Sequence, residues 1–213
     1  MNFLKFSGRI IAIGVVGLFN VIRYFYYHQY LGIPFTLDFF ILTAFFLTVA
    51  WWGGKQFDRV KYFSEKDPLT NTFNRRTIER SFQKIAKTCD KKGQKLGVIL
   101  LDLNDFKVVN DTYGHHKGDE LLTEIASRLN KSVNNNDLVA RWGGDEFLIL
   151  VPNCKDRFRV EYINNLNQTL EEEFEHFPTI RASIGFAFYP DDEQSFQGLI
   201  QKADEAMYKN KRG

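Results

Sequence analysis

Two charge-free apolar runs near the N-terminus constrain this chain more than any other feature. The first, IIAIGVVGLFNVI between Arg9 and Arg23, continues into the aromatic cluster Tyr24-Phe25-Tyr26-Tyr27. The second, FFILTAFFLTVAWWGG, lies between Asp38 and Lys55. A helix rises ~1.5 Å per residue and the hydrocarbon core of a bilayer is ~30 Å thick, so a span takes about 20 apolar residues. Each run alone is shorter. Arg23 can snorkel towards the interface, and the Tyr and Trp clusters suit interfacial belts that lengthen the spans. The pattern predicts two transmembrane helices near residues 10–28 and 35–54. A pair of buried helices in a soluble bundle passes the same length test, but no polar face interrupts either run. A cleaved leader fits less well, because RYFYYHQY follows the first run where small residues should permit cleavage.

Basic residues set the expected orientation. Lys5 and Arg9 precede the first span and Lys55, Arg59 and Lys61 follow the second, while only Arg23 lies near the intervening loop, residues 29–34. Positive-inside then puts both termini in the cytoplasm. The expectation is a multi-pass protein of the inner (cytoplasmic) membrane, with an outer loop too short to be a sensor domain.

Composition divides at the same place. Residues 1–66 hold seven Lys/Arg, three Asp/Glu and 18 of the 33 aromatic residues, leaving 21 basic and 23 acidic residues for 67–213. With 44% hydrophobic and 25% charged residues overall, disorder and low-complexity classes are excluded. A net charge of +2 gives no sign of a nucleic-acid partner. Cys89 and Cys154 show neither a CxxC nor metal-ligand spacing, which excludes a disulfide framework and a structural zinc site, and reduced thiols are expected. The predicted organisation is an anchor over 1–54, a charged connector over 55–65 and a soluble domain over 66–213.

In the soluble part strands and helices alternate. Helical periodicity covers 74–88, 117–132, 156–174 and 195–210; apolar runs at 97–103 and 180–189 suit buried strands. LVARW and EFLILVP flank Gly143-Gly144 and read as a hairpin with a tight turn. The order α-β-α-α-ββ-α-β-α predicts an α/β sandwich around a central sheet. Asp102 sits near the end of an apolar strand, and Asp145 with Glu146 at the hairpin turn. A carboxylate on a buried strand is costly unless compensated. If the strands are neighbours, these oxygens converge on one point and suit Mg²⁺ or Mn²⁺ bridging to phosphates. The plainer reading leaves Asp145 as a turn residue and Asp102 as a helix cap. Asn104 or Asp105 can cap a short helix whose free N–H groups face an anion. Asn110 and Asp119 offer an amide and a carboxylate, a pairing that can read the Watson–Crick edge of guanine, although each also suits a helix end.

RWGGDEF (141–147) resembles the signature of the GGDEF family of diguanylate cyclases, and KDPLTNTFNRR (66–76), LDLNDFKVVNDTYGHHKGD (101–119), ASIGFAFYP (182–190) and ADEAMYKNK (203–211) resemble its other motifs, in order. The resemblance implies a five-stranded sheet flanked by helices, similar to polymerase palms and nucleotidyl cyclases. It implies condensation of two GTP into cyclic di-GMP with release of two pyrophosphates, in an antiparallel homodimer holding one GTP per subunit. By resemblance Asp102, Asp145, Glu146 and the backbone carbonyl of Leu103 hold two Mg²⁺ or Mn²⁺ ions per site, and Glu146 also matches the proposed general base. Asn110 and Asp119 match the guanine readers. Backbone amides of Asp105, Phe106 and Lys107 hold phosphates, with Gly143 and Gly144 leaving room for them. Lys107 stabilises transition-state charge and Lys211 resembles a phosphate-binding lysine. His115 is read as structural, His116 as solvent-exposed, and Arg75 and Arg76 as structural residues near the site entrance.

Two departures stand out. The family's inhibitory product site, RxxD, reads Asn134-Asn135-Asn136-Asp137 here, and many relatives carry an arginine four residues after the last-helix lysine, whereas this sequence stops at Gly213, so one phosphate contact is expected to be missing. A rival of another class is a non-catalytic module that binds GTP or cyclic di-GMP and acts on a partner. Intact acidic positions favour the enzyme.

Overall fold

Apolar runs cannot satisfy their backbone N–H and C=O groups with side chains, so the chain closes them internally as helices. In a computed structural model, which describes residues 6–34, 36–155, 158–171 and 180–211, α1 spans Ser7–Tyr24 and continues through a wider π-helical stretch, Phe25–Tyr30. Helix α2 spans Leu37–Glu65. At 24 and 29 residues both helices are long and apolar enough to cross a membrane. Side chains such as Ile11, Leu18, Phe45 and Trp52 face outward and are exposed. The helices run further than the apolar runs predict. At the open end of the hairpin the Gly8 amide donates to Asp58 Oδ1 at 2.6 Å, and Arg9 Nε pairs with Asp58 Oδ2 at 3.0 Å. This clasp holds the charged residues after Lys55 in helix. At the other end Arg23 Nη2 donates to the Phe39 carbonyl and to Thr43 Oγ1, both at 2.7 Å.

The chain divides into two units, Met1–Ser64 and Glu65–Gly213. The second is built on a five-stranded sheet of order β1-β3-β4-β2-β5, with β1 Phe73–Asn74, β2 Leu96–Leu103, β3 Leu138–Arg141, β4 Glu146–Pro152 and β5 Ala182–Tyr189. From β3 to β5 each strand pairs antiparallel with its neighbour, whereas β1 pairs parallel with β3. The helices are α3 Arg75–Lys92, α4 Phe106–Tyr113, α5 His115–Ser132, α6 Phe158–Glu171 and α7 Phe196–Lys211.

Strand β2 is apolar from Leu96 to Leu101 because both of its faces are covered there. Ile99, Leu101 and Leu103 pack with Leu121, Ile125 and Leu129 of α5 and Leu166 of α6. Val98 and Leu100 pack with Ile78 and Phe82 of α3 and Leu199 and Ala203 of α7. Helix α3 starts where Asn74 accepts from the Thr77 amide at 3.0 Å, and ends at Gly93 with φ 59°. Its buried stripe is Ile78, Phe82, Ala86 and Cys89. Cys89 and Cys154 are both buried, and neither is joined in a disulfide.

Candidate active site

The register of β2 against β4 places Asp102 directly opposite Glu146. The Leu103 amide donates to the Asp145 carbonyl at 3.3 Å, and the Trp142 amide donates to the Glu146 carbonyl at 2.8 Å. Asp102 and Glu146 are therefore a non-hydrogen-bonded pair, the kind whose opposed side chains come closest. Side chains alternate along a strand, so Asp102 shares the face of Val98 and Leu100, and Glu146 that of Leu148 and Leu150, the face covered by α3 and α7. Because one residue's N–H and C=O point to the same neighbour in an antiparallel ladder, the Leu103 carbonyl also faces the Asp145 turn.

Like charges set opposite each other on a sheet repel. Burial, followed by the charges of Asp102, Asp145 and Asp204, pushes the Glu146 carboxyl above the ordinary glutamate range, against the pull of Arg75. Asp204, which follows the core residue Ala203 directly in α7, belongs to this acidic group although periodicity gave it no role. Its signal lay in the ADEAMYKNK string. Gly143 adjoins the same carboxylate, since a side chain there would run into Glu146. Among the described residues no three His, Cys, Asp or Glu side chains form a ready-made metal-ligating group. The donors are instead a few carboxylates and a backbone carbonyl, all oxygen, with more negative charge than the protein neutralises. That set fits a hard divalent cation sharing its remaining positions with phosphate or water.

This repulsion has a measurable consequence. A carboxyl with a raised folded value costs nothing well below pH 4.5, its ordinary value, and its penalty grows as pH rises through that value. Glu146→Gln is therefore expected to raise the thermal midpoint of the metal-free protein modestly at neutral pH, screened because the group is partly exposed. The gain disappears near pH 4. An unchanged or lowered midpoint at pH 7 counts against an acidic cluster under strain.

The turn itself is held from the side. Arg141 donates from Nε and Nη2 to the Gly144 carbonyl at 3.1 and 2.7 Å, and its Nη1 lies 3.4 Å from Asp67 Oδ1. Asp67 also accepts from the Thr70 amide at 2.9 Å and the Thr70 hydroxyl at 2.8 Å. Burial acts to raise the Asp67 carboxyl, but these bonds and Arg141 outweigh it and hold it low. Both residues lie inside motif strings, and only the fold shows that residues 74 apart in sequence meet.

Helix α4 begins three residues beyond Leu103. Asp105 stands at its N-cap with φ 58°, in the left-handed region, and gives no side-chain cap. The amides at Phe106 and Lys107 thus lie in an uncapped first turn, the ordinary place for an anion. Asp105 and Lys107 are exposed and Phe106 half-buried. Further along, the half-buried Asn110 packs over Gly118 of α5, where any side chain would collide with its amide. Asp119, exposed, is the next residue. The Asn104 carbonyl group of the side chain accepts from Ser183 at 2.7 Å, tying the loop before α4 to β5.

The fold thus brings together Asp102, Leu103, Gly143, Gly144, Asp145 and Glu146 at one sheet end, with Asp105, Phe106 and Lys107 following directly from β2. Asn110 and Asp119 lie beyond them on the α4–α5 pair. His115 and His116 are exposed, and His116 pairs with Glu120 at 3.1 Å. Arg75 stacks on Trp142 at 4.1 Å, beside the site. Lys211 ends α7, and its side chain lies outside the described residues.

A mixed five-stranded sheet, flanked by helices and carrying its acidic residues at a Gly-Gly hairpin turn, defines the class as GGDEF-like. Residues 64–213 match the sequence profile described as "Diguanylate cyclase, GGDEF domain", and the chain belongs to that family. It is 36% identical over 145 residues to the bifunctional diguanylate cyclase/cyclic di-GMP phosphodiesterase MucR of Pseudomonas aeruginosa, covering 67% of this chain and 21% of MucR. A sensory box/GGDEF family protein from Caulobacter crescentus superposes with a TM-score of 0.65 at 33% identity, over 70% of this chain and 98% of that one. The coiled coil and GGDEF domain of DgcB from the same species, solved in complex with c-di-GMP, superposes with a TM-score of 0.69 at 25% identity, over 75% and 86%. The chain spans less than half the length of the curated relatives it matches.

Proposed function

We propose that the chain is a membrane-anchored diguanylate cyclase that joins two GTP into cyclic di-GMP and releases two pyrophosphates. The observation that carries this reading is the opposed pair Asp102 and Glu146 with Asp145 beside them, an acidic group under repulsion on a family scaffold. Asp102, Asp145, Glu146 and the Leu103 carbonyl would hold two Mg²⁺ or Mn²⁺ ions. The chemistry such ions supply when bound is activation of a hydroxyl and stabilisation of the leaving pyrophosphate. Glu146 takes the proton of the attacking 3′-hydroxyl. The amides of Asp105, Phe106 and Lys107 bind phosphate oxygens and the Lys107 ammonium offsets charge in the transition state. Gly143 and Gly144 leave the turn open to the triphosphate, and Lys211 meets its far end. Asn110 and Asp119 read guanine.

One subunit positions one GTP, so turnover needs a homodimer that sets two nucleotides face to face, with no nucleic acid involved. Residues 1–54 serve as a two-helix anchor in the inner membrane and 55–65 as the connector. The catalytic domain, 66–213, and both termini lie in the cytoplasm. Incubating the full chain in nanodiscs with GTP and Mg²⁺ or Mn²⁺ tests the reading by the appearance of cyclic di-GMP and pyrophosphate. GTP binding without product would instead favour the non-catalytic module.

Feedback is expected to be weak. Asp137 Oδ2 already accepts from the Asn134 amide at 2.9 Å, from Asn134 Nδ2 at 3.1 Å and from the Tyr162 hydroxyl at 2.8 Å. A neutral amide at 134 replaces the charged planar fork of an arginine, and bonds to charged groups contribute roughly 1.5–3 kcal/mol, or ten- to hundredfold in affinity. Calorimetry with cyclic di-GMP, run beside initial rates, is expected to show little inhibition, and Asn134→Arg to install it. Micromolar binding that stops turnover and vanishes in Asp137→Ala would show a site working without its arginine.

A further inference from the structure

Helix α3, Arg75–Lys92, carries seven basic residues and two acidic ones, whereas the rest of 67–213 holds 14 basic and 21 acidic. At about 100° per residue, Arg76, Arg80, Lys84, Lys87 and Lys91 fall within an arc of about 80° and a length of about 22 Å. All five are exposed, on the side opposite the buried stripe Ile78, Phe82, Ala86 and Cys89. Within the domain this arrangement is costly. Arg76 and Arg80, Arg80 and Lys84, and Lys87 and Lys91 are like-charge pairs at i,i+4, which destabilise a helix. The first turn holds no acidic residue to complement its positive end. Other helices answer their cations with neighbours: Lys117 and Arg128 pair with Glu120 and Glu124 on α5, and Lys202 with Glu205 on α7. Among the described residues no ion pair involves α3. Asp90 lies off the stripe and accepts from the Tyr189 hydroxyl at 2.8 Å.

We propose that this stripe docks α3 on the anionic phospholipid surface of the membrane that holds the anchor, an inference that rests on the membrane-anchored reading. A bilayer presents a flat face, and a straight row of cations meets it along its whole length. Each Lys or Arg near an anionic leaflet raises the docked population about fivefold. Only residues 66–74 separate α2 from α3, a contour of at most about 32 Å. That tether keeps the stripe at high effective concentration beside the bilayer. Positive-inside puts this part of the chain on the cytoplasmic side, the leaflet that carries anionic lipid. A nucleic acid also offers phosphates, but the acidic remainder of the domain repels a long polyanion and the tether does nothing to bring one near.

The full chain is placed in nanodiscs of phosphatidylcholine, with or without about one third phosphatidylglycerol as the anionic lipid, some choline headgroups carrying a nitroxide quencher. A fluorophore is attached through Gln83→Cys, exposed beside the stripe, or through Ser127→Cys, exposed on α5 at the other face of the sheet. The native Cys89 and Cys154 are buried and are not labelled. Quenching at position 83 is expected only with phosphatidylglycerol, and to vanish near 1 M salt, where the screening length falls to about 3 Å. Lys84→Gln with Lys87→Gln is expected to cut the ratio of docked to free domain about 25-fold, while Lys84→Arg with Lys87→Arg keeps it. Removing like charges from exposed positions leaves the helix intact. The label at 127 is expected to stay unquenched throughout. Quenching at 83 that ignores phosphatidylglycerol, salt or the paired glutamine changes, or that equals quenching at 127, overturns the proposal. So does binding of a single-stranded oligonucleotide in place of the lipid contact, which assigns the stripe to nucleic acid. A chain that does not enter nanodiscs removes the anchor reading as well, whereas one that enters and shows no contact at 83 removes the docking alone.

Discussion

Asp145→Ala is expected to abolish cyclic di-GMP formation while leaving the fold intact. Asp145 contributes to the fold through its backbone, whose carbonyl receives the Leu103 amide at 3.3 Å, and an alanine keeps that bond. Without metal its carboxylate adds repulsion to Glu146, so the metal-free variant should unfold at the same temperature as wild type or slightly above it. Metal stabilisation of a phosphoryl-transfer transition state contributes several kcal/mol, and ~4 kcal/mol corresponds to about a thousandfold in rate. Stability and activity should thus move in opposite directions, which a merely structural aspartate would not do. Retention of more than about a tenth of the wild-type rate would falsify the assignment.

The second large effect is expected in base choice. A site built to hydrogen-bond its substrate rejects an analogue that cannot, often by ~10⁴, because buried groups are left unpaired. Asn110 is half-buried and seated against Gly118, while Asp119 is exposed in the protein alone. Comparing kcat/KM for GTP and ATP should therefore show a preference of at least about a hundredfold. Gly118→Ala supplies the internal control: the added methyl group collides with the Asn110 amide and should erode the preference without touching Asp102, Asp145 or Glu146. Similar constants for the two nucleotides would remove Asn110 and Asp119 from base reading.

The elements with a strong period were legible before any coordinates. The buried run of β2, the stripe Leu121, Leu122, Ile125 and Leu129, and the Gly-Gly hairpin all appear within a few residues of their expected bounds. Strand β1 was not, because two residues, Phe73 and Asn74, carry no period at all. It came only with the family resemblance. Nor was the extension of α2 to Glu65, since the charged residues after Lys55 read as a connector until the pairing of Asp58 with the start of α1 is seen. For the site, the acidic positions were readable because a carboxylate on an apolar strand demands an explanation. Asp67, Arg141 and Asp204 demanded none. They are ordinary loop, strand and helix residues, and their roles arise from distances in space that local pattern does not encode.

The clasp between Asp58 and the first turn of α1 closes across 50 residues of sequence. Ribosomes add roughly 5–20 residues per second, so several seconds separate the synthesis of Gly8 from that of the side chain that receives its amide. Through that interval the leading turn has only water, or whatever accompanies the nascent chain, to bond with. Closure of the hairpin is therefore timed by the completion of α2 rather than by its beginning. A ribosome pausing before codon 58 would hold the chain with one helix made and its first turn still open.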